Sequence, residues 1–138
     1  MNNVKIILIV DDDEDDRSLF IDAVKKIDAS IKCVSACDGE EALKYLRAET
    51  SAIPDIIFLD LNMPRFNGKE CLVAIKKIPH LQNIPVIIYS TTSRPEDVKE
   101  TLSLGAAQFL TKPTYFENIC KEVSSIFSKE WHKNMLLI

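Results

Sequence analysis

Three short, continuous apolar runs constrain the fold of this chain more than any other feature. They are rich in β-branched residues, do not alternate with polar side chains, and each leads into a carboxylate or a hydroxyl: Ile6–Val10, Ile56–Leu59 and residues 86–89. Unbroken apolar runs of this length are typical of strands buried on both faces, which occur in parallel sheets covered by helices. The runs therefore predict a parallel sheet in an α/β protein.

Helical patterns alternate with these runs and complete the predicted architecture. Two weaker strands fit at residues 31–36 and 107–110, and apolar residues recur at helical spacing in five intervening stretches. The predicted inward-facing residues are Leu19, Ala23, Val24 and Ile27, then Ala42, Leu43 and Leu46, then Cys71, Leu72, Ile75 and Ile78, then Val98, Leu102 and Leu104, and finally Phe116, Ile119, Val123, Ile126 and Phe127. Five βα units predict one doubly wound α/β domain, with right-handed crossovers and helices on both faces of the sheet.

Composition excludes several classes of function. Seventeen Lys and Arg against twenty-one Asp and Glu give a net charge of −4, which argues against a nucleic-acid-binding surface. The longest apolar run is far too short to cross a membrane. The four cysteines form no C-x-x-C pair, so we expect reduced thiols in a cytoplasmic protein.

Carboxylates follow two of the predicted central strands. The first strand runs into six consecutive acids, residues 11–16, of which Asp11 and Asp12 lie directly at the strand end. Asp60 directly follows the third strand, whereas residues 13–16 fit a solvated loop and the acidic first turn of a helix. Carboxylates that converge at one sheet edge repel each other, so they require raised pKa values or a bound cation, and Mg²⁺ suits this donor set better than Ca²⁺. A metal site and a merely solvated acidic loop both remain open at this point.

A hydroxyl residue and a lysine follow the last two predicted strands, as the carboxylates follow the first and third. Ser90 follows the fourth strand and Lys112 follows the fifth. Taken singly, the hydroxyl fits a helix cap near Pro95 and the lysine fits a surface cation. Together with the acids they fall at the carboxyl ends of strands 1, 3, 4 and 5, where doubly wound sheets bind ligands.

These motifs make the chain similar to a known family, the response regulator receiver domain, and in particular to its single-domain, CheY-like type. The similarity extends from about residue 4 to residue 128 and implies a flavodoxin-like (βα)5 fold with strand order 2-1-3-4-5. The segments that carry it are Ile-Leu-Ile-Val-Asp11-Asp12, Leu59-Asp60-Leu-Asn62-Met63-Pro64 with Gly68, Ser90-Thr91, and Lys112-Pro113.

The resemblance implies a role for each acidic residue. Asp60 would be the phosphoacceptor, taking a phosphoryl group from a phosphohistidine on a sensor kinase. Asp12, Asp60 and the backbone carbonyl of Asn62 would bind Mg²⁺ directly, and Asp11 would act through water. The protein would then be a signalling module, with self-phosphorylation and self-dephosphorylation as its only activity.

The resemblance also implies a switch. Ser90 and Lys112 would contact the phosphoryl oxygens, and Lys112–Pro113 would be a cis peptide. Phe109 matches the aromatic residue that fills the space vacated when Ser90 moves, although plain core packing explains a Phe there equally well. Asn62 and Thr92 match the two positions that tune dephosphorylation, and since neither is an acid we expect slow to moderate self-hydrolysis.

The expected domain is residues 1–128, followed by an apolar tail at 129–138. Ten residues leave no room for an output domain, so we expect output through protein–protein contact with an unknown downstream partner. The face expected from relatives includes Glu96, Lys99, Glu100, Gln108 and Tyr115, whose mixed charge also fits an ordinary solvated face. Trp131, Met135 and Ile138 recur at helical spacing in the tail, which indicates an extension of the last helix or a contact with a partner or a second copy.

Three other functions share part of this pattern. A haloacid-dehalogenase-type phosphatase also uses a strand-end Asp with Mg²⁺ and Lys, but it requires a second Asp where this chain has Asn62. A phosphorylation-independent scaffold receiver would have lost Asp60, Asp12 or Lys112, and all three are present. A flavodoxin-type flavin binder lacks its phosphate-cradling loop here, because six acids follow the first strand.

Overall fold

The computed structural model describes residues 4–49 and 51–129, and within them five strands and five helices alternate as the sequence predicts. A short 3-10 turn, Pro79–Leu81, precedes the fourth strand. The predicted tail with Trp131, Met135 and Ile138 lies outside the described residues. The elements are β1 Ile6–Val10, α1 Glu14–Ile27, β2 Lys32–Ala36, α2 Gly39–Arg47, β3 Ile56–Leu59, α3 Gly68–Lys76, β4 Val86–Ser90, α4 Pro95–Ser103, β5 Gln108–Thr111 and α5 Phe116–Phe127.

All five strands run parallel in the order β2-β1-β3-β4-β5, which confirms the predicted topology. Val10 pairs with Leu59, and Leu59 pairs with Ile88, so the three central strands end at nearly the same level. The backbone N–H of Asp60 donates to the carbonyl of Val10 at 2.9 Å. The register therefore brings the residues that follow β1 and β3 side by side.

The sheet separates two apolar layers, because successive side chains of a strand point to opposite faces. Residues of β1 such as Leu8 and Val10 pack with α2 and α3, whereas Ile7 and Ile9 pack with α1 and α5. The α1–α5 layer contains a cluster of aromatic rings, Phe20, Phe58, Tyr89 and Phe127, with centroids 4.7–6.3 Å apart. Burial on both faces explains why the strands carry unbroken apolar runs.

Side-chain caps begin three of the helices shortly after the preceding strand. The carboxylate of Asp13 accepts from the backbone N–H of Asp16 at 3.0 Å, and Asp38 caps α2 in the same way. Asn67 and Glu70 form a reciprocal capping box at the start of α3. These caps satisfy otherwise unpaired backbone donors and fix where each helix starts relative to the sheet edge.

Two helices expose residues that the sequence analysis places inward. In α1, Leu19 is 43% exposed and Phe20 is fully buried, so the predicted face is wrong by one residue. In α4, Leu102 is 45% exposed and Thr101 is buried instead. The hydroxyl of Thr101 donates to the carbonyl of Asp97 at 2.8 Å, which satisfies the hydroxyl without water and permits its burial.

No helix in the described ranges combines the length and apolarity needed to cross a bilayer.

Candidate functional site

Three carboxylates converge beyond the carboxyl ends of β1 and β3. Asp11, Asp12 and Asp60 each offer an oxygen, and these oxygens lie within 4.8 Å of one another. Asp11 and Asp60 are buried at 0% and 5% exposure, whereas Asp12 is exposed. The cluster that the sequence predicts is therefore assembled, with one face open to solvent.

Burial makes Asp60 the most perturbed carboxyl group of the site. Burial raises the pKa of Asp60 to about 6, the ammonium of Lys112 opposes that shift, and the charge of Asp11 adds to it. The backbone N–H of Asn62 donates to Oδ1 of Asp60 at 3.4 Å. The buried environment disfavours the ionised form of this carboxyl group, so added positive charge nearby would favour ionisation.

Lys112 reaches back from the end of β5 into the carboxylate cluster. Its Nζ lies 2.6 Å from Oδ2 of Asp11, 2.8 Å from Oδ2 of Asp16 and 3.9 Å from Oδ2 of Asp60. Burial by itself would lower the pKa of Lys112, but these carboxylates outweigh burial and raise it above its usual range. The lysine is thus a permanently charged partner of the site, not the surface cation that its type alone suggests.

The predicted hydroxyl lies at the end of β4, fully buried. The side-chain Nδ2 of Asn62 donates to Oγ of Ser90 at 3.3 Å, and the backbone N–H of Thr92 donates to the same oxygen at 3.4 Å. Ser90 is therefore connected to both positions that the resemblance links to dephosphorylation. The carbonyl of Ser90 accepts from the backbone N–H of Lys112 at 2.7 Å, which joins the hydroxyl strand to the lysine strand.

Gly68 allows the start of α3 to approach the strand end that carries Asp60. A Cβ on Gly68 would lie 2.3 Å from the carbonyl oxygen of Asp60 and 2.6 Å from Cα of Leu61. The backbone N–H of Gly68 donates to the carbonyl of Leu61 at 2.9 Å. Only a residue without a side chain fits this contact with backbone atoms that cannot easily move.

Two aromatic side chains lie near the site on opposite faces of the sheet. Phe109 is half-buried and packs against the layer that contains α2 and α3, as its expected position on the fifth strand requires. Tyr89 is buried in the α1–α5 layer, and its ring centroid is 5.7 Å from Nζ of Lys112. Burial raises the pKa of Tyr89 to about 12, so its hydroxyl stays neutral beside the lysine.

The expectation of a cis peptide at Lys112–Pro113 is wrong, because the described chain contains no cis peptide bond. The trans form is the favoured isomer of an X-Pro bond by about 0.5–1 kcal/mol.

The sequence analysis misses Asp16, which it places in the solvated first turn of α1. The assignment holds for Asp13, the helix cap, and for exposed Asp15, but Asp16 hydrogen-bonds to Lys112. Helical spacing gives a partial signal only, because it does not decide whether Phe20 or Leu19 is the buried residue of α1. Asp16 lies four residues before the buried Phe20, so the two side chains share the inner face of α1.

The donor set of the site fits a divalent cation. Hard carboxylate oxygens are the ligands that Mg²⁺ and Mn²⁺ prefer, and the exposed position of Asp12 leaves room for water. Oδ2 of Asp11 is buried and faces the ammonium of Lys112 at 2.6 Å. Asp11, Asp12 and Asp60 would hold such a cation, which would relieve their mutual repulsion.

The parallel sheet brings carboxylates, a hydroxyl and a lysine together beyond the carboxyl ends of its strands. This arrangement defines a class of protein: doubly wound α/β domains whose site suits a divalent cation and a phosphoryl group. Comparison with known families identifies the member of that class. Residues 7–124 match the response regulator receiver domain, and the chain belongs to that family.

Two relatives are similar over most of their own length. The chain is 33% identical over 131 residues to the response regulator Rcp1 of Synechocystis, a match that covers 92% of this chain and 89% of Rcp1. It is 31% identical over 124 residues to FilR2 of Methanothrix harundinacea, described as a probable methanogenesis regulatory protein, covering 88% of this chain and 80% of FilR2.

Solved structures of similar proteins share the fold. The Mn²⁺-bound form of Rcp1 matches with a TM-score of 0.79 at 33% identity, covering 90% of this chain and 92% of that chain. The phosphorylated cyanobacterial phytochrome response regulator RcpA matches with a TM-score of 0.81 at 33% identity, covering 89% and 91%.

The protein is therefore a receiver of two-component, His–Asp signalling, homologous to single-domain response regulators. Receiver domains interact with histidine kinases or phosphotransfer proteins and bind Mg²⁺ or Mn²⁺ at an acidic pocket, and this chain has such an acidic cluster. The comparisons give no support to a haloacid-dehalogenase-type phosphatase, a flavin binder or a scaffold without phosphorylation.

Proposed function

We propose that Asp60 is the phosphoacceptor of this receiver and that Mg²⁺ is the metal it works with. The observation that carries the proposal is the convergence of Asp60, Asp11, Asp12 and Lys112 at one sheet edge. Burying a carboxylate beside an ammonium and two further acids costs desolvation free energy that apolar side chains would not. Such clusters of buried charges are typical of functional sites, so the arrangement indicates a chemical role.

The transfer is a displacement at phosphorus. An oxygen of Asp60 forms a bond to phosphorus while the bond from phosphorus to the histidine nitrogen of the donor breaks, and the histidine leaves neutral once it is protonated. Asp12, Asp60, the backbone carbonyl of Asn62 and, through water, Asp11 would hold Mg²⁺, which would supply positive charge that offsets the anionic phosphoryl group. Lys112 supplies a further positive charge and lies 3.9 Å from the nucleophile.

Ser90 and Phe109 form the proposed switch. Ser90 gives up hydrogen bonds from Asn62 and Thr92 when its hydroxyl turns to a phosphoryl oxygen. Phe109 then fills the space behind it. Neither Asn62 nor Thr92 is an acidic residue that could orient the attacking water. Hydrolysis of the aspartyl phosphate, which yields Asp60 and inorganic phosphate, is therefore slow to moderate.

Output leaves through protein–protein contact, and the chain's own chemistry ends with this phosphoryl cycle. The domain comprises residues 1–128, a sensor histidine kinase or phosphotransfer protein supplies the phosphoryl group, and the partner beyond is a protein. The surface formed by α4, β5 and α5 presents exposed charged residues together with two exposed apolar side chains, Leu102 and Tyr115, at 45% and 71% exposure. The tail at 129–138 is a candidate contact for a partner or a second copy.

The test is the intact mass of the protein after incubation with acetyl phosphate, with and without Mg²⁺. We expect a Mg²⁺-dependent gain of one phosphoryl group in the wild-type chain and none in Asp60→Asn, which keeps the shape of the side chain but removes the nucleophile. Asp55→Asn is the matched control, because Asp55 lies at the opposite end of β3, where it accepts from the backbone of Lys5 and Ile6.

A folded wild-type protein that binds Mg²⁺ and gains no mass would refute the assignment of Asp60. Retention of the adduct in Asp60→Asn would move the phosphoacceptor to another residue.

A further inference from the structure

The ammonium of Lys112 is shared among three carboxylates at unequal distances. Nζ donates a hydrogen bond to Oδ2 of Asp16 at 2.8 Å, lies 2.6 Å from Oδ2 of Asp11, and is 3.9 Å from Oδ2 of Asp60. It is therefore closest to the two acids that take no part in the bond to phosphorus. The side chain of Lys112 is only 9% exposed, so water offers it little alternative solvation.

Asp16 differs from the other two acids in what it can do. Asp11 and Asp60 belong to the carboxylate cluster, whereas Asp16 lies outside it, in the first turn of α1. Its backbone is fixed by the cap, since the N–H of Asp16 donates to the Asp13 side chain at 3.0 Å. Asp16 is thus an anchored acceptor on α1, and the ammonium of Lys112 lies closer to it than to Asp60.

We propose that Asp16 is a positioning residue for Lys112. In the unphosphorylated domain it holds the ammonium on the α1 side of the site, and formation of the aspartyl phosphate draws Nζ away from Asp16 toward a phosphoryl oxygen. Asp16 therefore opposes phosphorylation, because its bond to Lys112 must lengthen or break before the lysine can engage the product fully. This inference rests on the proposed role of Asp60.

The sign of the effect follows from charge. An aspartyl phosphate carries about two negative charges where one carboxylate stood, so Lys112 gains a stronger competitor for its ammonium. Asp16→Asn leaves a neutral oxygen at the same place and removes the charge that competes. The Asp16 side chain is 33% exposed and that of Lys112 is 9% exposed. A partly exposed charged hydrogen bond of this kind corresponds to roughly a three- to tenfold change in an equilibrium.

The experiment measures affinity for a phosphoryl analogue and the lifetime of the phosphorylated chain. Beryllofluoride with Mg²⁺ is titrated into wild type, Asp16→Asn, Asp16→Glu and Asp15→Asn, followed by amide NMR, and the half-life of the acetyl-phosphate adduct is measured by intact mass. Asp15→Asn is the matched control, because Asp15 is an exposed acid in the same helical turn and its loss changes the net charge equally.

We expect Asp16→Asn to bind beryllofluoride roughly three- to tenfold more tightly than wild type and to keep its phosphoryl group longer by a similar factor. Asp16→Glu restores the charge and should return both values toward wild type, while Asp15→Asn should change them much less. A purely structural loss would weaken binding, so a gain in affinity separates positioning from damage. Asp16→Ala serves as a second variant without the charge.

Equal behaviour of Asp16→Asn and Asp15→Asn, or weaker binding in both Asp16→Asn and Asp16→Ala, would overturn the positioning role while leaving Asp60 as phosphoacceptor. A wild-type chain that takes up no phosphoryl group would overturn both proposals together. Whether the wild-type chain takes up a phosphoryl group therefore distinguishes failure of the Asp16 proposal alone from failure of both proposals.

Discussion

The six consecutive acids at residues 11–16 have quite different environments, although five of them are the same residue type, Asp. Asp11 is buried against Lys112, Asp12 faces solvent within the carboxylate cluster, Asp13 caps α1, and Asp16 binds Lys112 from the helix. At the scale of the residue, the role of each acid therefore depends on its position relative to the end of β1 and the start of α1, and not on its residue type.

Gly68 gives the sharpest prediction at this scale. In Gly68→Ala the new Cβ would meet backbone atoms of Asp60 and Leu61 at 2.3–3.0 Å, so the start of α3 must shift away from the strand. We expect a loss of roughly 1–3 kcal/mol in the free energy of unfolding, measured by urea denaturation, together with slower phosphorylation of Asp60.

Gly39→Ala is the control for that variant. Its Cβ would meet the half-buried ring of Phe66, a side chain that can rotate, so the loss should be smaller. A Gly68→Ala protein as stable and as reactive as Gly39→Ala would show that the close approach of α3 is unimportant.

At the scale of the element, α4 is held differently from the other helices. Thr101 is its only buried residue, so few apolar contacts attach the helix to the sheet. Ion pairs attach it to α3 instead: Nζ of Lys69 lies 2.7 Å from Asp97 and 2.6 Å from Glu100. Because Lys69 follows Gly68, this connection starts next to the strand end that carries Asp60.

Loss of the Lys69 ammonium should therefore loosen α4 specifically. In Lys69→Ala we expect faster amide hydrogen exchange across Pro95–Ser103, with α1 and α5 unchanged, because the ion pairs that hold α4 are gone. High salt should produce part of the same effect in the wild type, since partly exposed ion pairs are screened.

Lys99→Ala is the matched control, since Lys99 is an exposed lysine on α4 itself. Equal exchange in the two variants would mean that the ion pairs of Lys69 do not anchor the helix.

At the scale of the whole molecule, the sheet joins two apolar layers and leaves the acidic cluster at one edge. The cluster exists only in the folded chain, because Asp60 is far in sequence from Asp11 and Asp12. A cation bound there stabilises the folded state and has no comparable site in the unfolded chain.

We therefore expect Mg²⁺ to raise the Tm of the wild-type protein in differential scanning calorimetry. The corresponding increase in the free energy of unfolding is about 2.7 kcal/mol when the free Mg²⁺ concentration is about 100 times its Kd. Asp12→Asn should lose most of this gain, because it removes an exposed carboxylate of the cluster without opening the core. An equal gain in wild type and Asp12→Asn would place the metal elsewhere.

The strands, their parallel arrangement and the residues at their ends are predictable from sequence patterns alone. These residues are Asp11, Asp12, Asp60, Ser90 and Lys112. These features are local: a strand buried on both faces needs a continuous apolar run, and the residue after it must lie at the sheet edge. The order of the strands came with the family resemblance, which those same local motifs carry.

The rotation of each helix about its axis, and the charged side chains that this rotation brings together, depend on the packing of the folded chain. One residue of rotation separates Leu19 from Phe20 as the buried side chain of α1, and helical spacing allows both. The same rotation brings Asp16 to Lys112, 96 residues away in the chain. Pairings of this kind depend on two elements docking on the same sheet edge, so no local pattern in the sequence specifies them.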